Sequence, residues 1–274
     1  MTLGEVLAAT TDYFARKGID SPRLDAELVL AHALGLSRLE LYTSFDRPLA
    51  EAELAGLRTL VERRGRREPL AYVLGGWGFR RLMLGTDARA LVPRPETEVV
   101  VERALAAIAG VEAPRVVDVG TGTGAIALAI LDEHPGAVVT ATDVSADALS
   151  LAAENAEKLG LQLELVQTDL LTGMTGLFDL VVSNPPYVGA DEIASLEPEV
   201  RDWEPRLALV GDRTVELAGA ARPLLAPGGA IVLECHERRC REIAAALGEL
   251  GYEGVEIGED LAGKERVVEA RWNP

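Results

Sequence analysis

The chain has 274 residues, 48% of them hydrophobic, which is enough for one large domain or two smaller ones with real cores. Its 27 basic residues against 44 acidic ones give a formal net charge of −17, which disfavours nucleic acid or an anionic membrane as a partner. No window approaches the roughly 20 apolar residues of a membrane helix, and the N-terminus does not resemble a signal peptide. We therefore expect a cytoplasmic protein without direct nucleic-acid or membrane contacts.

The first 68 residues carry a helical pattern. Apolar residues recur at helical spacing from Leu3 to Phe14, Ser21-Pro22 predicts the start of a second helix, and Gly35 predicts its end. Pieces near 39–42 and 50–64 complete a small predicted helical bundle, of the kind that holds partners or orients substrates. We interpret the basic stretch ERRGRRE, residues 62–68, as a solvated helix end that suits the helix dipole.

A β-hairpin and then an α/β pattern follow the bundle. Residues 73–84 alternate apolar residues with Gly and Arg, as a hairpin does. After a helix through Ile108, helices alternate with five strand patterns, at 115–119, 138–143, 163–167, 178–183 and 230–235. This alternation predicts an α/β fold whose parallel sheet has helices on both faces. Two tail strands share a loop too short for a crossover helix, so they should pair antiparallel at the sheet edge.

Two cysteines, Cys235 and Cys240, lie just after the fifth strand pattern. So small a number points to a reducing compartment rather than to a disulfide scaffold. His236 stands between them, but a structural zinc site needs four ligands, and only two further histidines exist in the chain. We predict no metal site.

Three successive strand ends carry residues suited to a nucleoside. The first leads into DVGTGTG, whose glycine turn at 120–124 lies where open α/β sheets bind ligands. Asp143 ends the second strand and could accept from both ribose hydroxyls, while Ser145 is the better cap for the next helix. Asp169 ends the third strand and could accept the adenine amine, with Leu170 on the base. The glycines also fit the dinucleotide fingerprint, so these residues predict a nucleoside without deciding between NAD and S-adenosylmethionine.

The fourth strand ends in NPPY, residues 184–187. Asn184 offers a side-chain carbonyl, and Pro185 offers a backbone carbonyl whose position the ring fixes. A planar NH₂ group that donates to both oxygens would face the cofactor, and Tyr187 can cover its flat face. Amide and conjugated amino nitrogens are poor nucleophiles, so the useful service is to align one with an electrophile such as a methyl sulfonium.

These motifs carry a family resemblance. NPPY with DVGTGTG resembles the class I S-adenosylmethionine-dependent methyltransferases that act on amide or amino nitrogens. PLAYVLGGWGF, LVPRPETE, EPRLALVGD and DLAGKERVV further resemble the PrmC/HemK glutamine methyltransferases of bacterial release factors, from about Pro69 onward. The resemblance implies a Rossmann-like, mostly parallel seven-stranded sheet with an antiparallel edge strand, and a small all-α bundle joined to it by a β-hairpin. The family commonly has Gly and Gln where this chain has CHERRC after Glu234.

The resemblance also implies roles and boundaries. A methyl group would pass from S-adenosylmethionine, leaving S-adenosylhomocysteine, to the amide nitrogen of the Gly-Gly-Gln glutamine of class I release factors. The cofactor would contact Gly120, Thr121, Gly122, Thr123, Gly124, Asp143, Asp169, Leu170 and Asn184. The glutamine amide would be held by Asn184, Pro185, Pro186 and Tyr187, of which Asn184, Pro185 and Tyr187 form the catalytic set. Residues 1–72 would recognise the release factor, 73–86 would form the hairpin linker, 87–274 would be catalytic, and 94–97 would help close the pocket.

Two alternatives share part of this pattern. An adenine or cytosine amino methyltransferase acting on nucleic acid would use the same NPPY, but it must flip a base and neutralise phosphates, which suits neither the net charge nor the absence of an obvious target-reading insertion. A nucleotide-binding or NAD-dependent module would explain the glycines and Asp143 but would leave NPPY without a role.

Overall fold

The computed structural model describes all 274 residues, Met1–Pro274, which form two compact units. One unit is Met1–Gly76 with Glu197–Trp203, and the other is Trp77–Leu196 with Glu204–Pro274. The helices are α1 (Leu3–Arg16), α2 (Pro22–Leu34), α3 (Arg38–Thr43), α4 (Glu51–Gly65), α5 (Leu70–Leu74), α6 (Thr97–Ile108), α7 (Ala125–Glu133), α8 (Ala146–Leu159), α9 (Pro198–Trp203), α10 (Arg206–Leu209), α11 (Thr214–Ala221) and α12 (Cys240–Glu249). The strands are β1 (Trp77–Phe79), β2 (Leu82–Leu84), β3 (Arg115–Val119), β4 (Val138–Asp143), β5 (Glu164–Gln167), β6 (Phe178–Ser183), β7 (Leu225–Glu234), β8 (Glu253–Glu259) and β9 (Glu265–Trp272). None of the helices has both the length and the apolar character to cross a membrane.

The first unit is the predicted helical bundle. Its core includes Leu3, Leu7, Phe14 and Leu30, all with almost no exposed surface. The second helix begins at Pro22 and ends at Gly35, whose left-handed φ of 63° closes it as the sequence predicts. Ser21 stands at the cap position, but its side chain makes no capping hydrogen bond.

The basic stretch at the end of α4 differs from its interpretation as a solvated helix end. Arg64 is buried, with Nε 2.7 Å from Asp25 Oδ2 and Nη1 2.8 Å from Glu199 Oε1. Arg67 also binds Glu199, with its Nη2 2.6 Å from Oε2. The interpretation is wrong for these two arginines because carboxylates from α2 and α9, distant in sequence, offset the cost of burying the guanidinium groups.

The second unit contains the hairpin of β1 and β2 and a seven-stranded sheet of order β5-β4-β3-β6-β7-β9-β8. The five strands β5, β4, β3, β6 and β7 are parallel, and β9 is antiparallel to both β7 and β8. The predicted α/β fold and the antiparallel pair at the sheet edge are confirmed. Strand order reverses between β3 and β6, and open α/β sheets bind ligands at such a switch point.

Helices cover both faces of the sheet, so successive residues of a central strand pack into two different hydrophobic clusters. On β6, Leu180 and Val182 pack in a cluster with residues of α6 and α7, whereas Val181 packs in a cluster with residues of α11 and α12. A strand covered on both faces reads as a continuous apolar run, which is the pattern that predicts β6 from sequence.

The cysteines correct a second expectation. Cys235 directly follows β7 and Cys240 begins α12, and the two are joined by a disulfide with their Cα atoms 5.7 Å apart. The low cysteine count points away from a disulfide scaffold, yet this one disulfide forms because the turn at 236–239 brings both residues into the same buried corner.

Candidate functional site

A cavity of about 240 Å³ lies in the second unit at the carboxyl ends of β3, β4 and β6. It brings together most of the residues predicted from sequence: Gly120, Thr121, Gly122, Thr123, Asp143, Asp169, Leu170, Asn184, Pro185 and Pro186. Gly124 does not line the cavity, because it caps the N-terminus of α7. Tyr187 does not line it either.

The glycine turn and Asp143 are built around backbone donors. Gly120 and Gly122 have φ values of 72° and 57°, in the region that favours glycine, and a Cβ added to Gly120 would meet no atom within 4 Å. Asp143 Oδ2 accepts from the Gly122 N–H at 3.0 Å and Oδ1 accepts from the Ser145 N–H at 2.9 Å. Ser145 Oγ caps α8 as expected, since it accepts from the Ala148 N–H. Each carboxylate oxygen can still accept a further donor.

Asn155 of α8 supports this turn through its side chain and was not predicted from the sequence. Its Nδ2 donates to the carbonyls of Thr123 and Gly85, at 2.9 Å and 3.1 Å, and its Oδ1 accepts from the Gly85 N–H at 2.6 Å. It is 2% exposed. An asparagine in mid-helix gives no motif, so nothing in the sequence distinguishes it.

A buried acid lies beneath the turn. Asp118 of β3 has no exposed surface, and its Oδ2 accepts from the Thr121 hydroxyl at 2.6 Å and from the Ala127 N–H at 3.2 Å. Its other oxygen has no partner. Burial raises the pKa of this carboxyl to about 7.

The third strand end is more exposed than the first two. Asp169 lines the cavity, and its carboxylate forms an ion pair with Arg213, which also lines it. Leu170 has a φ of 51°, an uncommon value for a residue with a side chain. Its carbonyl accepts from the Thr142 hydroxyl at 3.3 Å.

The NPPY segment leaves β6 with all its peptide bonds trans. Asn184 Nδ2 donates to Thr97 Oγ1 at 3.2 Å. The Tyr187 hydroxyl donates to Glu234 Oε1 at 3.4 Å, and its ring lies edge-on to His236 with centroids 6.0 Å apart. Burial raises the pKa of Tyr187 to about 12.

Thr97 and Glu234 join these two residues. The Thr97 hydroxyl donates to Glu234 Oε2 at 2.7 Å, and Glu234 is 1% exposed at the end of β7. Burial raises the pKa of Glu234 to about 7. Glu234 was not among the site residues predicted from sequence, although it carries the signal used for Asp143: an acid at the carboxyl end of a parallel strand.

A further charged residue of the cavity wall comes from the segment before α6. Arg94 lines it, and Arg94 Nη2 lies 2.6 Å from Oε1 of the buried Glu204. Burial raises the pKa of Glu204. Arg94 and Thr97 therefore belong to the cavity wall, at the two ends of the predicted 94–97 segment.

Comparison with known proteins gives consistent matches. The chain matches the family described as "PrmC N-terminal domain" over residues 5–75 and "Methyltransferase small domain" over residues 97–196. It is 43% identical to the release factor glutamine methyltransferase of Deinococcus radiodurans and 42% identical to that of Chlorobaculum tepidum. The first alignment covers 99% of this chain and 99% of the relative, and the second covers 93% of this chain and 92% of the relative. A methyltransferase structure from Pyrococcus furiosus, 20% identical, shares the fold with a TM-score of 0.52 over 70% of this chain and 89% of that one.

Proposed function

The chain belongs to the release factor glutamine methyltransferases, and from this premise we propose that it methylates the side-chain amide nitrogen of the Gly-Gly-Gln glutamine of class I release factors, with S-adenosylmethionine as donor. One observation carries the proposal. Asn184 and Pro185, the predicted acceptors for a planar amide, line the same cavity as the glycine turn and Asp143. An amide and a nucleoside cofactor bound there would meet.

The residues of the cavity fit S-adenosylmethionine. Asp143 has acceptor capacity for ribose hydroxyls, and the left-handed glycine turn with open space at Gly120 admits a ligand close to its backbone. When bound, this cofactor supplies a methyl group on an electrophilic sulfonium. Asp169 and Leu170 would contact the adenine, in which case the Asp169 carboxylate would be shared between Arg213 and the base.

The protein's part in the reaction is alignment. The Asn184 side-chain oxygen and the Pro185 carbonyl oxygen would accept hydrogen bonds from the two N–H groups of the glutamine amide, which fixes the plane of the NH₂ group. Holding both hydrogen bonds directs the nitrogen toward the methyl group and favours its rehybridisation, and such alignment can contribute roughly 7–11 kcal/mol. As the new N–CH₃ bond forms, the S–CH₃ bond breaks, and the nitrogen releases one of its two protons to solvent. Tyr187 does not line the cavity, and we propose that its ring covers the flat face of the amide when the substrate is bound; its hydroxyl donates to Glu234.

The test is mass spectrometry of a purified release factor after incubation with the protein and isotope-labelled S-adenosylmethionine. We expect the label on the Gly-Gly-Gln glutamine and nowhere else. A parallel reaction with a duplex containing unmethylated adenine and cytosine should stay unlabelled. Label on a base, with none on the release factor, would overturn the proposal in favour of the nucleic-acid alternative.

The helical bundle, residues 1–72, would bind the body of the release factor, and one of its surfaces is suited to the task. The buried Glu27 accepts hydrogen bonds from Arg23, Arg38 and the Tyr42 hydroxyl. This arrangement holds two half-exposed arginines beside Tyr42 and Leu39, which are 46% and 73% exposed. Cationic and aromatic side chains of this kind are typical of protein interfaces.

The contribution of this surface can be separated from that of the cavity. In an Arg38→Glu/Leu39→Ala variant, we expect the KM for intact release factor to rise about 10-fold, while the rate with a short Gly-Gly-Gln peptide stays unchanged. An equal effect on protein and peptide would contradict this role of the bundle. Because the substrate acts in translation, we place the reaction in the cytoplasm.

A further inference from the structure

Glu234 is a buried acid without a cation. It makes no ion pair, and the nearby Arg266 pairs with Asp260 instead. Its two oxygens are met only by neutral hydroxyls: Oε2 by Thr97 at 2.7 Å and Oε1 by Tyr187 at 3.4 Å. Burying a carboxylate with so little compensation is costly, and an amide or an apolar residue would avoid that cost. The acid therefore supplies something that a neutral residue would not.

The ionised acid fixes the direction in which the Thr97 hydroxyl donates its proton. A hydroxyl has one proton to donate, and the Glu234 carboxylate, which is ionised above its pKa of about 7, can then only accept. With its proton directed to Glu234, Thr97 presents lone pairs to Asn184, and the donor it meets there is Asn184 Nδ2 at 3.2 Å. The opposite orientation of the asparagine would set an oxygen against an oxygen. The Thr97 hydroxyl thus selects the Asn184 NH₂ group over the Asn184 side-chain oxygen, although the two have nearly the same shape.

We infer that Glu234 and Thr97 are positioning residues that hold the Asn184 amide with its nitrogen toward Thr97 and its oxygen available to the substrate amide. The inference rests on the proposed function for its catalytic consequence, though not for the orientation itself. A reversed Asn184 would present NH₂ to the NH₂ group of the glutamine, so one of the two acceptors would be lost. Because Glu234 also accepts from the Tyr187 hydroxyl, the same acid ties together both polar side chains of NPPY.

The kinetic test compares three variants. Thr97→Val removes the hydroxyl with little change of shape, Thr97→Ser retains it, and Glu234→Gln allows the residue to donate to Thr97 and so frees the hydroxyl proton to face Asn184. We expect kcat to fall about 10- to 100-fold in Thr97→Val and Glu234→Gln and to stay within about 3-fold in Thr97→Ser. The Kd for S-adenosylmethionine should change less than about 3-fold in all three. A kcat for Thr97→Val close to that of the wild type would overturn the inference.

Nuclear magnetic resonance tests the orientation without any substrate. The chain has only three asparagines, Asn155, Asn184 and Asn273, so selective ¹⁵N-asparagine labelling gives three side-chain NH₂ pairs. Loss of one pair in Asn184→Ala assigns the signal. We expect that pair to show slowed proton exchange in the wild type and Thr97→Ser, and fast exchange in Thr97→Val, with the Asn155 pair unchanged.

The two readouts separate the possible failures. If the Asn184 signals of Thr97→Val match those of the wild type, the orientation has another cause and the inference is wrong. If those signals change as expected but no release factor is methylated by any form of the protein, the inference about orientation stands and the proposed function is wrong. An unfolded Thr97→Val variant would be recognised by a changed Asn155 pair, and Glu234→Gln would then decide.

Discussion

The cavity has two sides that are built in different ways. On the cofactor side, the turn at 120–124 presents backbone groups in a conformation that favours glycine, and the side chains of Asp143 and Asn155 bind those groups from 21 and 32 residues away. On the amide side, Asn184 depends on side chains that come from other elements: Thr97 lies 87 residues away, and Glu234 lies 137 residues from Thr97. Under the proposed function, the cofactor would therefore bind against exposed backbone groups, whereas the amide would be aligned by a side chain that other side chains hold in place.

The comparison predicts its largest effect at Asn184. Asn184→Ala should lower kcat about 100-fold or more, because it removes a positioned acceptor used in the transition state, while the Kd for S-adenosylmethionine stays within a few-fold. Steady-state kinetics with release factor and calorimetry with the cofactor measure the two quantities. Asn273→Ala is the matched control, since Asn273 bonds Glu253 outside the cavity and should have no effect. A loss confined to cofactor affinity would mean that Asn184 belongs to the other side.

Each side also contains a buried acid with a raised pKa, and a Glu234→Gln variant isolates the contribution of the acid on the amide side. The pKa of Glu234 is raised to about 7 in the folded protein, above its ordinary value of 4.5. Between these two pH values, the folded state therefore binds more protons than the unfolded state. The free energy of unfolding therefore falls as the pH rises through this window, and the cost persists above pH 7. Glu234→Gln removes this pH dependence. The difference in the free energy of unfolding, variant minus wild type, should therefore increase by on the order of 2–3 kcal/mol from pH 5 to pH 8.

Urea unfolding of both proteins at the two pH values measures this gain. Asp118, the acid of the cofactor side, has a pKa raised in the same way and is present in both proteins, so its contribution cancels in the difference. Equal pH dependence of wild type and Glu234→Gln would show that Glu234 does not carry a raised pKa.

The cofactor side should respond to Asp143. Asp143→Ala removes acceptors for the ribose and for the Gly122 and Ser145 N–H groups, so we expect a loss of cofactor binding of about 1.5–3 kcal/mol. With saturating cofactor, kcat should stay within a few-fold of the wild type. Calorimetry of Asp143→Ala, beside Asp143→Asn as an intermediate case, gives the two affinities. An unchanged Kd would remove Asp143 from the cofactor side.

The smallest effect should come from the exposed edge of the cofactor side. Arg213 and Asp169 form an ion pair of half-exposed side chains, and such pairs contribute little because solvent screens them. We expect Arg213→Ala to change the cofactor Kd less than about 5-fold, with the change disappearing at high salt. A much larger effect that survives high salt would mean that Arg213 contacts the cofactor directly.

The same contrast governs what the sequence could predict. The ends of β3, β4 and β6 were predictable because continuous apolar runs stop at glycine, Asp143 or Asn184, and a parallel sheet brings these ends to one edge. The first residues of β7 were not, because Leu225 is followed by Ala, Pro, Gly and Gly, which read as a turn. The pairing of Thr97 with Glu234 was hidden for another reason. It exists only once α6 and β7 have packed together.

Glu199 has a consequence for attempts to exchange parts of the chain between relatives. It lies in the short segment Glu197–Trp203, which belongs to the first unit, and there it neutralises Arg64 and Arg67. The backbone therefore passes from one unit to the other three times, after Gly76, Leu196 and Trp203. A chimaera that replaces only the residues before Gly76 would keep Glu199 but could lose the arginines with which it pairs. A chimaera should therefore take residues 197–203 from the same relative as the helical bundle.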